Sequence, residues 1–434
     1  MKILHILSGL SKAGGGTSEV VPRLCEALVA VGHEVRLVTG ETAELSDAAV
    51  RARERGVDLR VCPALAIPHL SFLRVTKKFR AEIKEGIAWA DVVHIHGLWQ
   101  DPPWWAAWMC RKMGKRYVIQ PHGFLEPERL KISWLKKCVV GALIERPNLN
   151  SAAAVIATAE SEKQGIEQYG VRVPIRIAPI GIDSDLFDAA VANRGLLKKW
   201  GLDSNKKTLL YFSRLTPIKG LDLLVQAWKG LEAFHAGWQL FIAGPDDRGY
   251  AQEIQGLYSR LIKDGSVIFS GPIYGEEKNV LLKSVDAFIL PTRSENFGIA
   301  VQEALLAGVP VVCTKGAPWG EIEEYRCGYW VDVTVKAIEE GLKQVMGATD
   351  GERRAMGERG KKLVEERYQW GAIGERMVAV YRDLINRVER GVGGMGDGIN
   401  RVERVDRVER GVGACGVGDD RVERVDGILG VGNV

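Results

Sequence analysis

Short, uninterrupted apolar runs, each breaking into a Gly-bearing or polar loop, recur along this chain and alternate with stretches of helical periodicity. The first is KILHIL, residues 2–7. A run without polar alternation suits a strand covered on both faces, as in a parallel sheet. SEVVPRLCEALVAVG follows with apolar residues at helical spacing and stops at Gly32, after which HEVRLVTG resumes β character. ADVVHIHG (90–97), RYVIQPHG (116–123) and AAAVIATAE (152–160) continue the series. It then restarts with KTLLYFSRL (207–215), WQLFIAGPD (238–246), SVIFSGPI (266–273), DAFILPT (286–292) and VPVVCTKG (309–316). Strands alternating with helices predict doubly wound α/β domains whose ligand sites lie at the carboxyl ends of the strands. Two of them in series predict a cleft between those edges.

The bulk numbers agree. At 434 residues the chain exceeds one ordinary domain, and 46% apolar residues supply two cores. The boundary falls near 185–200, after PIGIDSDLF, giving domains of 1–190 and 191–365. A net charge of +4, without a concentrated basic stripe, argues against a nucleic-acid partner. Cys25, Cys62, Cys110, Cys138, Cys313, Cys327 and Cys415 are scattered without a C-x-x-C pair, as reduced thiols of a cytoplasmic protein are. The apolar start breaks at Gly9 without an A-x-A-like cleavage site, so it reads as a first strand and not as a signal peptide. No apolar stretch approaches the roughly 20 residues that cross a bilayer. The expectation is a soluble protein, peripheral to a membrane at most.

From residue 386 the composition shifts. RVER recurs from Arg387, Arg401, Arg407 and Arg421, between Gly-rich spacers and without an aromatic residue. Such a segment buries too little apolar surface to offset its ordering entropy, and residues 386–434 read as a low-complexity, disordered tail.

Chemistry concentrates where strands end. In RSENFGIAVQE, after DAFILPT, Glu295 and Glu303 stand eight residues apart, a little over two helical turns. The amides of Asn296, Phe297 and Gly298 would sit at a helix N-terminus, which favours anions and hydroxyls. Carboxylates accept two hydrogen bonds from vicinal sugar hydroxyls; a plainer reading is a helix-dipole charge plus one exposed glutamate. SRLTPIKG brings Arg214 and Lys219 to another strand end, a guanidinium fork and an ammonium suited to a diphosphate, or else two surface cations. The Gly14-Gly15-Gly16 loop after the first strand lets backbone approach a phosphate closely, a weak signal alone.

Together these motifs resemble the retaining glycosyltransferases of family 4, the group 1 glycosyltransferases of GT-B fold. ENFGIAVQE is similar to their E-x7-E motif, SRLTPIKG to their Arg/Lys diphosphate element, and GGTSEVVPRLCEALVAVGHEV to their Gly-Gly loop, helix and strand. YQWGAIGERMVAVYRDLI resembles their C-terminal helix, residues 366–385, which crosses back onto the first domain. The resemblance spans about residues 1–385.

It implies transfer of a hexose from a nucleoside-diphosphate sugar, with retention, to a saccharide or lipid-linked saccharide in cell-surface polysaccharide or glycolipid synthesis. Arg214 and Lys219 would hold the diphosphate, with Gly15 and Gly16 approaching from the first domain, and Glu303 the ribose. Glu295, with the backbone of Asn296, Phe297 and Gly298, would surround the donor sugar. His122, in QPHGFLEP, matches the family's histidine near donor sugar and acceptor. No cofactor or metal is expected: fixed cations stabilise the departing phosphate, and Asp183-Ser184-Asp185, with Asp-x-Asp spacing, lies at the domain linker. His94 and His96 read as structural, without metal-like partners.

GLWQDPPWWAAWMCRKMGKR leaves three readings open. Trp99, Trp104, Trp105 and Trp108, next to Arg111, Lys112, Lys115 and Arg116, suit sugar stacking or a membrane surface; Trp104 and Trp108 also share a helical face, which suits core packing. ERLKISWLKKC is a second basic-apolar stretch in the same domain. It makes a lipid-linked acceptor and contact with the inner face of the plasma membrane plausible.

Competing classes fare worse. The opening loop is not G-x-G-x-x-G, which argues against a dehydrogenase, and no G-K-[ST] supports a P-loop enzyme. A sugar-nucleotide epimerase of similar architecture, or a non-catalytic sugar-nucleotide-binding protein, are the remaining alternatives.

Overall fold

In the computed structural model, described for residues 1–12, 15–65, 72–131, 133–246 and 249–391, the apolar runs form two parallel sheets. The first holds β1 (Lys2–Leu7), β2 (Glu34–Gly40), β3 (Asp58–Cys62), β4 (Val92–His96), β5 (Tyr117–Gln120), β6 (Ala154–Ala157) and β7 (Ile175–Ile177). Their order is β3-β2-β1-β4-β5-β6-β7. The second holds β8 (Lys207–Phe212), β9 (Trp238–Ala243), β10 (Val267–Gly271), β11 (Ala287–Leu290), β12 (Val311–Thr314) and β13 (Gly328–Val331), in the order β10-β9-β8-β11-β12-β13. Each is the strand order of a dinucleotide-binding sheet, with its switch point where the order reverses, between β1 and β4 and between β8 and β11.

The central strands are apolar because helices cover both faces. Ile3, Leu4 and Ile6 of β1, all of β9 from Leu240 to Ala243, and β11 from Ala287 to Ile289 have no exposed surface. No helix among the described residues is long and apolar enough to cross a membrane.

The C-terminal helix, Trp370–Gly391, packs on the first domain. Its Tyr381 hydroxyl meets His94 Nδ1 at 2.7 Å, Arg176 donates to Asp383 at 3.2 Å, and a side chain at Gly374 would touch Ala27 at 3.3 Å. The helix runs past residue 385, where sequence reading ended it, because Asn-Arg-Val-Glu-Arg contains no helix breaker. The rest of the RVER segment lies outside the described residues.

Candidate functional site

Both switch points carry the motifs singled out in the sequence. In the second domain, the loops after β8 and β11 are tied to each other. Arg293 forks onto Asp222, Nη1 to Oδ1 at 2.8 Å and Nη2 to Oδ2 at 2.6 Å, and also donates to the Pro217 carbonyl at 2.6 Å. The Arg293 amide and the Thr292 hydroxyl donate to the Ile218 carbonyl at 2.8 and 3.1 Å. Gly220, at φ 69°, completes the junction: a Cβ there would lie 2.0 Å from the Pro291 carbonyl oxygen.

This brings Lys219 and Glu295 together. Lys219 Nζ donates to Glu295 Oε2, and both side chains are largely buried. Arg214 sits two residues past β8, its carbonyl accepting from the Tyr211 hydroxyl at 3.4 Å. Glu303, on the helix Ile299–Leu306, accepts from Lys278 at 2.7 Å. The two carboxylates of the E-x7-E motif thus have separate lysine partners. Asn296 and Gly298 line the loop before that helix, but the Phe297 side chain does not. It packs into Trp319 and Tyr368 at ring distances of 5.4 and 5.7 Å, with Trp319 Nε1 donating to its carbonyl at 2.6 Å. Only the Phe297 backbone is left for a ligand.

The first domain meets this loop. Gly15 precedes the helix Gly16–Ala30, and a Cβ on Gly16 would sit 3.6 Å from the tip of Ile299. Gly14 lies outside the described residues. On the same helix, Glu19 is within electrostatic reach of Lys278 and Glu303; burial holds its carboxyl above the ordinary range, opposed by Arg23. His122 follows β5 with a left-handed backbone, φ 56°. A Cβ on the next residue, Gly123, would lie 2.8 Å from the Asn296 Cβ. The Thr158 hydroxyl reaches the Asn296 carbonyl at 3.3 Å, and Ser294 donates to Glu126 at 3.0 Å.

Glu126, Lys278, Asp222 and Arg293 are site residues that sequence reasoning missed. Glu126 lies inside the quoted QPHGFLEP, four residues past His122, and carried no signal of its own in the sequence. Burial raises its carboxyl, and Glu295 and Glu162 add to the shift, while the Ser294 hydrogen bond opposes it.

Two expectations are corrected. His94 and His96 do have neighbours of their own kind: β1 pairs with β4 so that His5 aligns with His94. The ligand atoms of His5, His94 and His96 lie within 4.8 Å of one another. The core-packing reading fails for Trp108, although Trp99 and Trp105 are half-buried against the first domain's core. Trp108 is 42% exposed, its ring tilted against that of Trp105 at 4.8 Å, and Trp104 donates to Glu145 at 2.7 Å. With Arg80, Arg111 and Leu143 they line a surface groove of about 340 Å³. Asp183 of the Asp-x-Asp triplet is held by Arg23 and Arg51 in ion pairs.

Two parallel α/β domains, each with charged side chains at its switch point, define a two-domain α/β architecture with a candidate ligand site at the strand ends. The chain belongs to the group 1 glycosyltransferases: residues 194–363 match the family model for glycosyl transferases group 1, and residues 15–181 that for a glycosyl transferase 4-like domain. It is 33% identical over 194 residues to an uncharacterized glycosyltransferase of Methanocaldococcus jannaschii, a match covering 44% of this chain and about half, 48%, of that protein. Over 411 residues it is 25% identical to D-inositol 3-phosphate glycosyltransferase of Corynebacterium urealyticum, covering 88% of this chain and 95% of the relative. Its fold is similar to the crystal structure of Anabaena Alr3699/HepE in complex with UDP and glucose, with a TM-score of 0.68 and 18% identity over 88% of this chain and all of the other.

Proposed function

We propose that this transferase moves a hexose, with retention and without a metal, from a nucleoside-diphosphate sugar to a saccharide or lipid-linked saccharide acceptor. It would do so in the cytoplasm, in contact with the inner face of the plasma membrane, during polysaccharide or glycolipid synthesis. The observation that carries this reading is the junction of the β8 and β11 loops, which sets Lys219 against Glu295 opposite the Gly16 turn of the first domain.

Glu295 accepts from Lys219. A diphosphate entering between Arg214 and Lys219 takes the place of that carboxylate and releases Glu295 towards the sugar. Glu303 then holds the ribose, while the Asn296–Gly298 backbone and His122 border the hexose. As the anomeric C–O bond breaks, negative charge grows on the β-phosphate, where Lys219 and Arg214 already stand. The acceptor hydroxyl attacks from the side the phosphate leaves, and the departing phosphate oxygen takes its proton. Asp183 is bound to two arginines, which supports a route through fixed cations and not through an Asp-x-Asp metal.

The acceptor side is the first domain. Trp134, Leu135, Val139 and Leu143 are 51%, 70%, 59% and 73% exposed, beside Arg129, Lys131 and Lys136. Exposed aromatic and aliphatic side chains among cations favour an anionic lipid surface, which supports a lipid-linked acceptor.

Thermal-shift titration with UDP, GDP, UDP-glucose and GDP-mannose tests the reading. A ligand at 100 times its Kd raises stability by about 2.7 kcal/mol, and one nucleotide series is expected to do so. Indifference to every nucleotide would contradict it, and isomerisation of a labelled donor without acceptor would favour an epimerase.

A further inference from the structure

Behind His122, three imidazoles form one hydrogen-bonded chain. His5 Nδ1 meets His96 Nε2 at 2.9 Å, and His96 Nδ1 meets His122 Nε2 at 2.9 Å. His5 and His96 have no exposed surface, and His122 keeps 8%. Their strands explain the line-up: β1 and β4 are neighbours, as are β4 and β5, and His122 lies just past β5. His94 stands beside the chain, its ring 4.0 Å from that of His96 and its Nδ1 on the Tyr381 hydroxyl.

We infer that His5 and His96 are positioning residues that fix His122 as its Nδ1–H tautomer, so that this ring can only donate from Nδ1 to an oxygen of a sugar or phosphate in the cleft. Burial pushes His5 and His122 down to about 3 and His96 well below its usual value, so all three rings are neutral near pH 7. A neutral imidazole has one donor and one acceptor nitrogen. The chain therefore points one way only. Outward, His5 Nδ1–H donates to His96 and His96 Nδ1–H to His122, which leaves His5 Nε2 a bare lone pair. Inward, His5 Nε2 carries a hydrogen. Among the described residues that nitrogen is buried with no partner, and, as for backbone groups, a buried N–H is left orphaned more rarely than an acceptor. The outward direction follows. His122 Nε2 is then occupied, and only Nδ1–H remains to meet a ligand. Both nitrogens of His96 are used within the chain, in competition with any metal held by His5, His94 and His96.

This inference rests on the reading that His122 borders the donor sugar, but its test does not. Full-length enzyme with ¹⁵N-labelled histidines, without ligand, reports the protonated nitrogen of each ring by heteronuclear NMR, with His122→Gln assigning the key signal. The expected result is protonation at Nδ1 in His5, His96 and His122 alike; protonation of His122 at Nε2 overturns the inference. His96→Ala opens a polar space where water can act as either partner, so His122 is expected to lose its single tautomer. An unchanged Nδ1–H in that variant overturns the positioning role, and if the variant does not fold, the unsubstituted spectrum decides. Stoichiometric metal in the purified enzyme would also overturn the chain. Nucleotide titration of the same samples reads the transferase assignment separately.

Discussion

Lys219 pairs with Glu295 in the structure and with the diphosphate in the proposed reaction. Its ion pair with Glu295 is largely buried, and the diphosphate must compete with that carboxylate. Because the ammonium acts most on charge that grows as the donor bond breaks, Lys219→Ala is expected to lower turnover by about 10²-fold or more, as loss of an oxyanion donor does; steady-state kinetics with the donor found by thermal shift measures it. A second residue-scale prediction concerns Glu145, at the end of the π-turn Gly141–Glu145. Its carboxylate accepts from the Trp99 amide and Trp104 Nε1, yet burial pushes it up to about 7. In the folded chain it keeps its proton to a higher pH than when unfolded. Stability is therefore greatest below the unfolded value of 4.5 and declines as pH rises to about 7, by about 3 kcal/mol at 1.36 kcal/mol per pH unit. Glu145→Gln, which can still accept both bonds, is expected to remove that slope in denaturant titrations between those pH values. A slope unchanged in the variant would assign it to other groups.

At the scale of elements, the junction of the β8 and β11 loops depends on Gly220. An alanine there keeps a left-handed backbone that L-residues enter at a cost of about 1–2 kcal/mol, and its Cβ would run into the Pro291 carbonyl at 2.0 Å. Gly220→Ala is expected to destabilise the second domain by more than 2 kcal/mol and to weaken nucleotide binding, both read by thermal shift with and without nucleotide. Central strands were legible in the sequence because helices on both faces make them continuously apolar. The edge strands β3, β7 and β13 were not: none is fully buried, and Asp58-Leu-Arg-Val-Cys, Ile175-Arg-Ile and Gly328-Tyr-Trp-Val carry polar or mixed residues. The strand-end motifs were legible since one segment holds each. Lys278 and Glu126 were not, because their meaning arises only from pairing with Glu303 and Ser294 across long sequence separations. The same holds for the histidine chain, whose members come from three strand segments. Tryptophan spacing left surface and core readings open, and the structure turns Trp104 and Trp108 onto a surface groove.

Over the whole molecule, the proposed reaction has the two sheets share one donor between the loops at their switch points. The first domain contributes the Gly16 turn, Glu19 and the His122–Gly123 loop; the second contributes Arg214, Lys219, Glu295 and Glu303. The two carboxylates have separate lysine partners, which is what a division of the donor into nucleotide and sugar ends requires. Isothermal calorimetry on Glu303→Gln and Glu295→Gln, with the bare nucleoside diphosphate and then the intact donor, tests that division. Glu303→Gln is expected to weaken both ligands by about 1.5–3 kcal/mol, the worth of a hydrogen bond to a charged group. Glu295→Gln is expected not to weaken the bare diphosphate, and to tighten it in so far as Lys219 loses a competing partner, while transfer falls. Equal losses of bare-diphosphate affinity in the two variants would contradict the account.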